Sequence, residues 1–403
     1  MSIRTWRRAA AAAAAWACVS LALPCAGQSP DPPPPGTLTF GPLRISPHLL
    51  VKDVGVDSNV FNAPVDPKHD FTMTVTPTAD LLLAVRRIRL GYTSTVDYVY
   101  YRDYASERGV NSSSSARLDI DFGFLKPYVA ATGVNAKTRL NTEVDERARH
   151  RDVTYTTGVA LDVGSRTSLV LNGTLEKISY ERDEAFRGVL LGRAFDGRRR
   201  AVDGGLKLAL TPLTTFSLIV SREEQRFVEA PGRDSDSWRV SPGFAFDPGG
   251  LLNGSASIGY RRFKTRSPQL PDFTGLVSTA TVVARAGRHE AQGVFRRDVQ
   301  YSYDVATSYY LATGGTLTWT VLLFGPVDVR GTAGRMLMDY NVSGLALGTD
   351  KTSSYGAGVG YRFSNRARLG INAEWSRRDS DRAFERRFRN HRIFAGFSWG
   401  ITS

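Results

Sequence analysis

The 403-residue chain is poor in the residues that build cross-linked or metal-bound proteins, with 2 Cys, 5 His and 4 Met. Two cysteines exclude a disulfide framework and any cysteine-rich zinc or iron–sulfur site. Five scattered histidines predict no metal site, and nothing in the sequence predicts a cofactor. Beyond the N-terminus no second apolar run is long enough for a transmembrane helix, which excludes a helical membrane protein. A hydrophobic content of 42% excludes a disordered chain.

Motifs of catalysis are also missing. The sequence holds no G-x-S-x-G elbow and no phosphate-binding loop. Its histidines (His48, His69, His150, His289 and His391) are far apart and none lies in a serine or aspartate motif. The sequence therefore predicts no catalytic residue and no enzyme.

The N-terminus has the composition of an export signal. Residues 1–27 combine Arg4, Arg7 and Arg8 with the apolar stretch Ala9–Leu23, which is typical of a secretory signal peptide. A membrane anchor, twin-arginine export and lipidation at Cys25 are the alternatives. Cleavage would remove both cysteines, because Cys18 and Cys25 fall inside this segment. Residues 28–42 follow as a proline-rich periplasmic segment that contains Pro32–Pro35.

From residue 43 onward the sequence alternates between apolar and polar residues. Ile88, Leu90, Tyr92, Val96, Tyr98 and Tyr100 share one parity, and Leu118, Ile120, Phe122 and Phe124 continue the same pattern. A period of two predicts β-strands with one apolar and one polar face. The stretches run for roughly 10–16 residues, whereas ordinary strands have about 5–6 and membrane-crossing strands about 9–11. This length argues against a propeller or a sandwich.

The connections alternate between short and long. Short turns are predicted near residues 86–87, 126–127, 164–165, 212, 248–249, 287, 325–326 and 364–365. Long polar connections are predicted at 57–69, 103–112, 139–151, 181–199, 228–236, 264–272, 301–308, 340–351 and 379–387. This asymmetry is typical of outer-membrane barrels with short periplasmic turns and long extracellular loops. The sequence thus predicts an all-β fold in which residues 43–403 form an antiparallel barrel of about 18 strands.

Closure and orientation follow from the same pattern. A barrel in lipid must pair its first strand, near residues 43–54, with its last, near 387–402. The apolar parity would face lipid, and aromatic residues near the strand ends would form interfacial girdles. The candidates for these girdles are Tyr98, Tyr100, Tyr101, Trp238, Tyr260, Tyr309, Tyr310, Trp319, Trp375 and Trp399.

Two short segments carry a family resemblance. Ile45–Val51, followed by Val56–Phe61, resembles the first strand and loop of an outer-membrane β-barrel porin family whose members are often associated with exopolysaccharide export. The C-terminus resembles the signal read by the barrel assembly machinery, with Gly396, Trp399 and Ile401 at the expected offsets. The resemblance implies a channel in the outer membrane of a Gram-negative envelope, inserted by that machinery and linked to polysaccharide export.

The inward parity carries charged side chains that we take as candidate pore-lining residues. The basic candidates are Arg44, His48, Lys52, Arg89, Arg117, Lys207, Arg239, Arg288, Arg296, Arg330, Arg362, Arg368 and Arg392. The acidic candidates are Asp80, Asp97, Asp119, Asp121, Asp162, Glu176, Glu290, Asp328 and Glu374. A modest basic excess predicts a preference for anionic solutes. The alternative is that these charges neutralise one another across strands.

Two arginine clusters, within residues 193–200 and 386–392, are expected in the surface loops. They suit lipopolysaccharide phosphates, and a solvated surface is the alternative. Nucleic-acid binding does not fit an exported chain. The sequence therefore predicts a channel for polar solutes, either anionic or saccharide. The alternative is a barrel without open conduction that binds glycans or proteins through its long loops.

Overall fold

A computed structural model describes residues 37–247, 250–304, 307–340, 347–383 and 386–400. The signal segment 1–27, most of the proline-rich segment and Ile401 lie outside the described residues. The described chain forms a closed antiparallel barrel of 18 strands, which confirms the fold class. No helix among the described residues is long and apolar enough to cross a membrane.

The barrel strands succeed one another around the ring in chain order, and each pairs with the strands before and after it. They are β2 (Leu43–Asp57), β3 (Asp70–Val85), β4 (Ile88–Tyr101), β5 (Gly109–Ile120), β6 (Leu125–Arg139), β7 (Arg147–Asp162), β8 (Thr167–Tyr180), β11 (Gly197–Thr211), β12 (Thr214–Phe227), β13 (Ser235–Phe246), β14 (Leu252–Thr265), β15 (Phe273–Ala286), β16 (His289–Tyr301), β17 (Tyr309–Phe324), β18 (Val327–Asp339), β19 (Thr349–Ser364), β20 (Ala367–Ser380) and β21 (Phe388–Trp399).

Besides the 18 barrel strands, the described residues form three short strands, one short α-helix and two single-turn 3₁₀ helices, Ala105–Glu107 and Pro231–Arg233. Strand β1 (Leu38–Phe40) folds back on the start of β2 as a hairpin, in which Leu38 lies opposite Ile45. Strands β9 (Ala185–Phe186) and β10 (Val189–Leu190) form a second small hairpin. Helix α1 (Leu191–Phe195) follows that hairpin in the connection between β8 and β11.

The barrel closes where β2 pairs with β21. Leu49 lies opposite Trp399 and Asp57 lies opposite Arg392, with a break in register between Val51 and Val54. Asp53 has a φ of 58° at this break, which is the bulge geometry that bends a strand. Closure pairs Leu49–Val51 and Val54–Asp57 with β21, and an open edge in lipid would cost several kcal/mol for each unpaired group.

The alternation of turns and loops agrees with the sequence pattern. Eight connections are short: residues 86–87, 121–124, 163–166, 212–213, 247–251, 287–288, 325–326 and 365–366. The nine at the opposite end are longer: 58–69, 102–108, 140–146, 181–196, 228–234, 266–272, 302–308, 340–348 and 381–387. One turn is displaced from its predicted place, since Lys126 and Pro127 lie in β6 and the turn is at 121–124. Strand β5 therefore ends before Phe122 and Phe124, because Asp121 accepts a hydrogen bond from the Gly123 N–H and fixes the turn.

The outward face is apolar in the way that the parity predicts. Tyr98, Trp238, Trp319, Trp375 and Trp399 are all exposed on it, and Tyr100 and Tyr260 join them. Three of the predicted girdle residues are not there. Tyr309 and Tyr310 are each 1% exposed, because Tyr309 packs against Phe263 of β14 and Tyr310 packs against Tyr340. Tyr101 lies on the inward parity, opposite Thr72.

The two strands of the seam approach each other closely at Gly55, so a substitution there tests the closure. A Cβ at this position would lie 2.0 Å from the Ile393 carbonyl oxygen and 2.6 Å from the Phe394 Cα, both backbone atoms of β21. We expect Gly55→Ala to destabilise the barrel by about 1–3 kcal/mol, because the two seam strands would have to separate. Urea unfolding in lipid vesicles measures this change.

Gly91→Ala is the matched control, because Gly91 is also a strand glycine but a Cβ there meets nothing within 4 Å. Equal stability of the two variants would contradict the role given to Gly55.

Candidate functional site: the barrel interior and its extracellular lid

The interior wall carries the polar parity of every strand. On β2–β4, His48 Nε2 lies 3.0 Å from Asp80, and Lys52 Nζ lies 3.6 Å from Asp97. The Thr93 hydroxyl donates to the other oxygen of Asp80 at 2.5 Å. His48 Nδ1 also lies 2.8 Å from the Gly400 carbonyl oxygen, which ties the C-terminal end of the barrel to β2.

A chain of alternating charges crosses β11–β16 on the inner wall. Arg199 donates to Glu223 at 2.9 Å, and Arg261 donates to Glu223 and to Asp298 at 2.8 Å each. Arg239 lies 3.6 Å from Asp298. Each acid is thus held between two arginines, an arrangement that lowers the cost of keeping charges partly out of water.

Asp328 is the most enclosed acid near the periplasmic end, with no exposed surface. Arg362 Nε donates to it at 2.8 Å, and Arg368 donates at 2.7 and 2.9 Å. Arg368 is on β20 and Asp328 is on β18, so the guanidinium must cross β19. It crosses at Gly360, where a Cβ would lie 2.2 Å from Arg368 Nη2. The glycine therefore makes the contact possible.

Arg392 joins the two strands of the seam. Its guanidinium lies 2.7 Å from Asp53 and 3.4 Å from Asp57 on β2, and 3.6 Å from Glu374 on β20. The positive φ of Asp53 turns that carboxylate toward Arg392. A sequence pattern of period two could not indicate this contact, since the bulge changes the parity.

Most of the remaining candidate pore-lining residues lie on the inner wall. Arg44, Arg89, Lys207 and Arg330 lie on the inward parity, as do Arg296, Asp162 and Glu176. Arg117 pairs with Asp119 at 2.7 Å, and Arg285 pairs with Glu290 at 2.7 Å.

Asp121 and Arg288 do not lie on the inner wall as predicted. They lie in exposed periplasmic turns, where the alternation has already ended. Of the predicted assembly signal, Gly396 lies on the inward row of β21 and Trp399 is 43% exposed on the outer face.

The predicted basic excess does not survive a count of all inward strand positions. More acidic than basic inward residues were missed, although the same alternation runs through most of them and could have found them. The missed bases are Lys126, Arg199, Arg261, Arg285 and Arg378; the missed acids are Asp53, Asp57, Asp70, Asp152, Asp203, Glu223, Asp298 and Asp350. The inward residues of the described strands now include two sets of similar size. The basic set is Arg44, Lys52, Arg89, Arg117, Lys126, Arg199, Lys207, Arg239, Arg261, Arg285, Arg296, Arg330, Arg362, Arg368, Arg378 and Arg392; the acidic set is Asp53, Asp57, Asp70, Asp80, Asp97, Asp119, Asp152, Asp162, Glu176, Asp203, Glu223, Glu290, Asp298, Asp328, Asp350 and Glu374.

Three long loops fold inward and bridge the extracellular mouth; we call residues 140–146, 181–196, 302–304 and 307–308 the lid. Glu143, in the first loop, is fully buried. It accepts hydrogen bonds from the Ser302 hydroxyl at 2.8 Å, the Tyr303 N–H at 3.0 Å and the Tyr340 hydroxyl at 2.7 Å. The connection of β6 to β7 thereby contacts the connection of β16 to β17, on the opposite side of the ring.

The lid has an apolar core of its own. It contains Leu140, Val144, Phe186, Leu191 and Phe195, with Ala148, Ala194 and Tyr180 packed beside them. Arg233, 2% exposed, donates to the carbonyl oxygens of Ala194 and Ser302 and so joins two of the lid loops.

Some charged groups in and below the lid are buried in surroundings that disfavour their charged form. Burial raises the pKa of Glu143 above its ordinary value of 4.5, although Arg386 opposes that shift. Burial likewise raises the pKa of Asp145, which Arg378 contacts at 2.8 Å. The Nε and Nη2 atoms of Arg378 have no hydrogen-bond partner in the described structure. Buried donors without partners make the closed lid less stable than its contacts suggest.

A hydroxyl, an imidazole and a carboxylate lie in the order that a catalytic triad has. Thr138 Oγ1 lies 3.0 Å from His150 Nε2, and His150 Nδ1 lies 3.0 Å from Asp152. His150 is only 1% exposed beneath the lid, and its ring lies 5.6 Å from the Tyr180 ring at an angle of 39°. Solute cannot reach it while the lid is closed. The part of the chain that the structure describes contains no group of three or more metal-ligating side chains.

The comparison with protein families decides the assignment. Residues 34–399 match the model of the family called Putative beta-barrel porin 2. The chain belongs to this family. This porin-type barrel is therefore an outer-membrane protein, and the match supports a channel rather than an enzyme. No protein of curated function matches its sequence.

Comparison with solved structures finds outer-membrane proteins that are similar to this chain at low sequence identity. OccK2 (OpdF) of Pseudomonas aeruginosa is 10% identical, with a TM-score of 0.51 over 89% of this chain and 98% of that one. A BenF-like porin from Pseudomonas fluorescens is 12% identical, with a TM-score of 0.48 over 88% and 98%. The FrpB iron transporter of Neisseria meningitidis is 10% identical, with a TM-score of 0.42. The match covers 83% of this chain but only 62% of that transporter.

Asp328 allows a test of the interior wall. We expect Asp328→Ala to destabilise the barrel by about 1–3 kcal/mol, because Arg362 and Arg368 would both lose their charged acceptor. Asp119→Ala is the control, since the Arg117–Asp119 pair is about one-third exposed and should contribute less than about 1 kcal/mol. Urea unfolding in vesicles measures both variants, and equal losses would show that enclosure of the pair adds nothing.

Proposed function

We propose that this porin is a gated channel for polar solutes, with saccharides as the favoured class and polysaccharide export as its context. The observation that carries the proposal is an interior of paired charges and hydroxyls below a lid of loops. Porins of 16–18 strands leave an aqueous channel. Similar numbers of inward acids and bases argue against a strong preference for either ion sign.

The lid supports gating. Its contacts through Glu143 are few and specific, and its buried atoms are incompletely paired. A conformational change that releases Glu143 would hydrate Arg378, Asp145 and Glu143 together. Such a bistable element suits regulation by a partner or by a solute.

Removal of the Glu143 side chain should open the lid. In Glu143→Ala, Ser302, Tyr303 and Tyr340 lose their common acceptor while buried, which should destabilise the closed state by about 2–4 kcal/mol. In planar bilayers we expect the wild-type protein to be mostly closed and the variant to conduct steadily. Liposome swelling with neutral sugars should show the same difference.

Glu181→Ala is the matched control, because Glu181 is an acid of another lid loop whose side chain is 59% exposed. Its contact with Arg149, at 3.6 Å, is long and open to water. The gating proposal fails if Glu143→Ala conducts no better than this control. A reversal potential that indicates strong ion selectivity in a salt gradient would contradict the charge-balanced interior.

The channel should close further as the pH falls. Glu143 and Asp145 have raised pKa values in the closed lid, so the closed state takes up protons that a hydrated open state does not hold. Between the ordinary pKa values and the raised ones, acid therefore stabilises the closed lid, and this effect is lost as the pH rises. Open probability recorded at stepwise pH should fall toward acid pH. Glu143→Gln should flatten that dependence, and an unchanged pH profile in this variant would remove Glu143 from the explanation.

The lid also favours a second candidate, a closed barrel that binds glycans or proteins through its loops. A barrel of this second kind would not conduct ions or sugars even after Glu143→Ala. Binding of a polysaccharide by the wild-type protein, without conduction by either form, would favour this second function.

A further inference from the structure

The outer face of the barrel holds a groove that no channel function requires. It is an open depression of about 670 Å³ on the lipid-facing side of β15–β19. Its floor consists of small residues, among them Gly293, Gly315 and Ala333, while Phe295, Leu317 and Tyr355 form higher walls. Tyr355 is 60% exposed and Leu317 is 54% exposed, so the groove opens toward the membrane.

A row of exposed cations lies at the extracellular side of this groove. Arg335 lines the groove itself, and Lys351, Arg377 and Arg389 follow on the next three strands. All four are on the outward parity and are exposed. Each is within the part of its strand nearest the long loops, which is the level of the outer-leaflet headgroups.

Two like charges of this row face each other across neighbouring strands. Arg377 lies directly opposite Arg389 in the register of β20 and β21, and like charges in that position destabilise a sheet. Asp379 lies 2.6 Å from Arg377 and directly opposite Lys351, so these two cations of the row are next to the same acid. Near the extracellular ends of β12 and β13 the compensation is greater, since Arg226 contacts Glu224, Asp234 and Asp236.

We propose that the groove and this row form a binding site for a phosphorylated glycolipid of the outer leaflet. One acyl chain lies in the groove between Phe295 and Tyr355, and a phosphate lies against Arg335, Arg377 and Arg389. An arginine fork matches phosphate oxygens in a bidentate manner, and the phosphate offsets the repulsion between Arg377 and Arg389. The proposal does not depend on conduction.

The site differs from the arginine clusters expected from the sequence. Arg386 is buried against Asp350, and Arg392 faces inward. Arg389 therefore contributes from the second cluster, while Arg335 and Arg377 lie on β18 and β20, outside both clusters.

The test uses the full barrel in a non-ionic detergent, with diphosphorylated lipid A as the probe and native mass spectrometry as the readout. The triple variant Arg335→Gln, Arg377→Gln, Arg389→Gln should weaken binding by about fivefold for each lost cation. The control triple variant Lys177→Gln, Arg200→Gln, Arg262→Gln removes three exposed cations from other strands and should bind as the wild type does.

A second pair of variants tests the groove. Gly293→Leu places a side chain in the groove, and a Cβ at Gly293 meets nothing within 4 Å, so the strand can accept it. Gly331→Leu is its control, because that Cβ also meets nothing within 4 Å but Gly331 does not line the groove. Binding should fall in Gly293→Leu alone, and the heat-modifiable gel mobility of each variant confirms that it is folded.

Three outcomes would overturn the site. Equal loss in the two triple variants would show a diffuse basic belt rather than a site. Equal binding of lipid A without phosphates would remove the role of the cations. Unchanged binding by Gly293→Leu would remove the acyl chain from the groove.

Discussion

The barrel depends on one constraint, which is that a backbone in lipid must satisfy its own hydrogen bonds. The chain meets this constraint by pairing β2 with β21, strands separated by nearly the whole sequence. The seam is also where the regular pattern breaks, at the bulge around Asp53. Gly55 allows the two backbones to approach there, and Arg392 bridges the seam to Asp53 and Asp57. Closure is therefore a backbone requirement that particular side chains stabilise.

The same closure places polar residues in a confined interior. Alternation sends one side chain in two inward, so strands far apart in sequence supply charges to one wall. Asp328 shows the consequence, because it is enclosed between arginines of two other strands and depends on a glycine of the strand between them. Pairing of this kind leaves a polar wall without a strong net field. A channel with such a wall would select by size and hydrogen bonding more than by charge.

The two ends of the barrel are built differently. The periplasmic turns are short and leave little freedom, whereas the extracellular loops are long enough to form an apolar core of their own. Glu143 shows why this lid is suited to change. It is the common acceptor of three donors from across the mouth, yet its burial opposes its ionised form. On the outside, the groove beside Arg335 shows that the lipid-facing wall is not uniform either.

The sequence by itself determined the fold class, the strand number, the inward and outward parity and the placement of nearly all turns, because each depends on local alternation and turn chemistry. It also located most inward charges, such as His48, Lys52 and Arg362. Only the tertiary structure decided which charges pair, that Tyr309 and Tyr310 are buried, and that residues 140–146 cross the mouth. These depend on strand register and on contacts between residues more than a hundred positions apart, such as Glu143 with Ser302 and Tyr340. A pattern of period two carries no information about such partners, since it fixes a residue's face but not its neighbours.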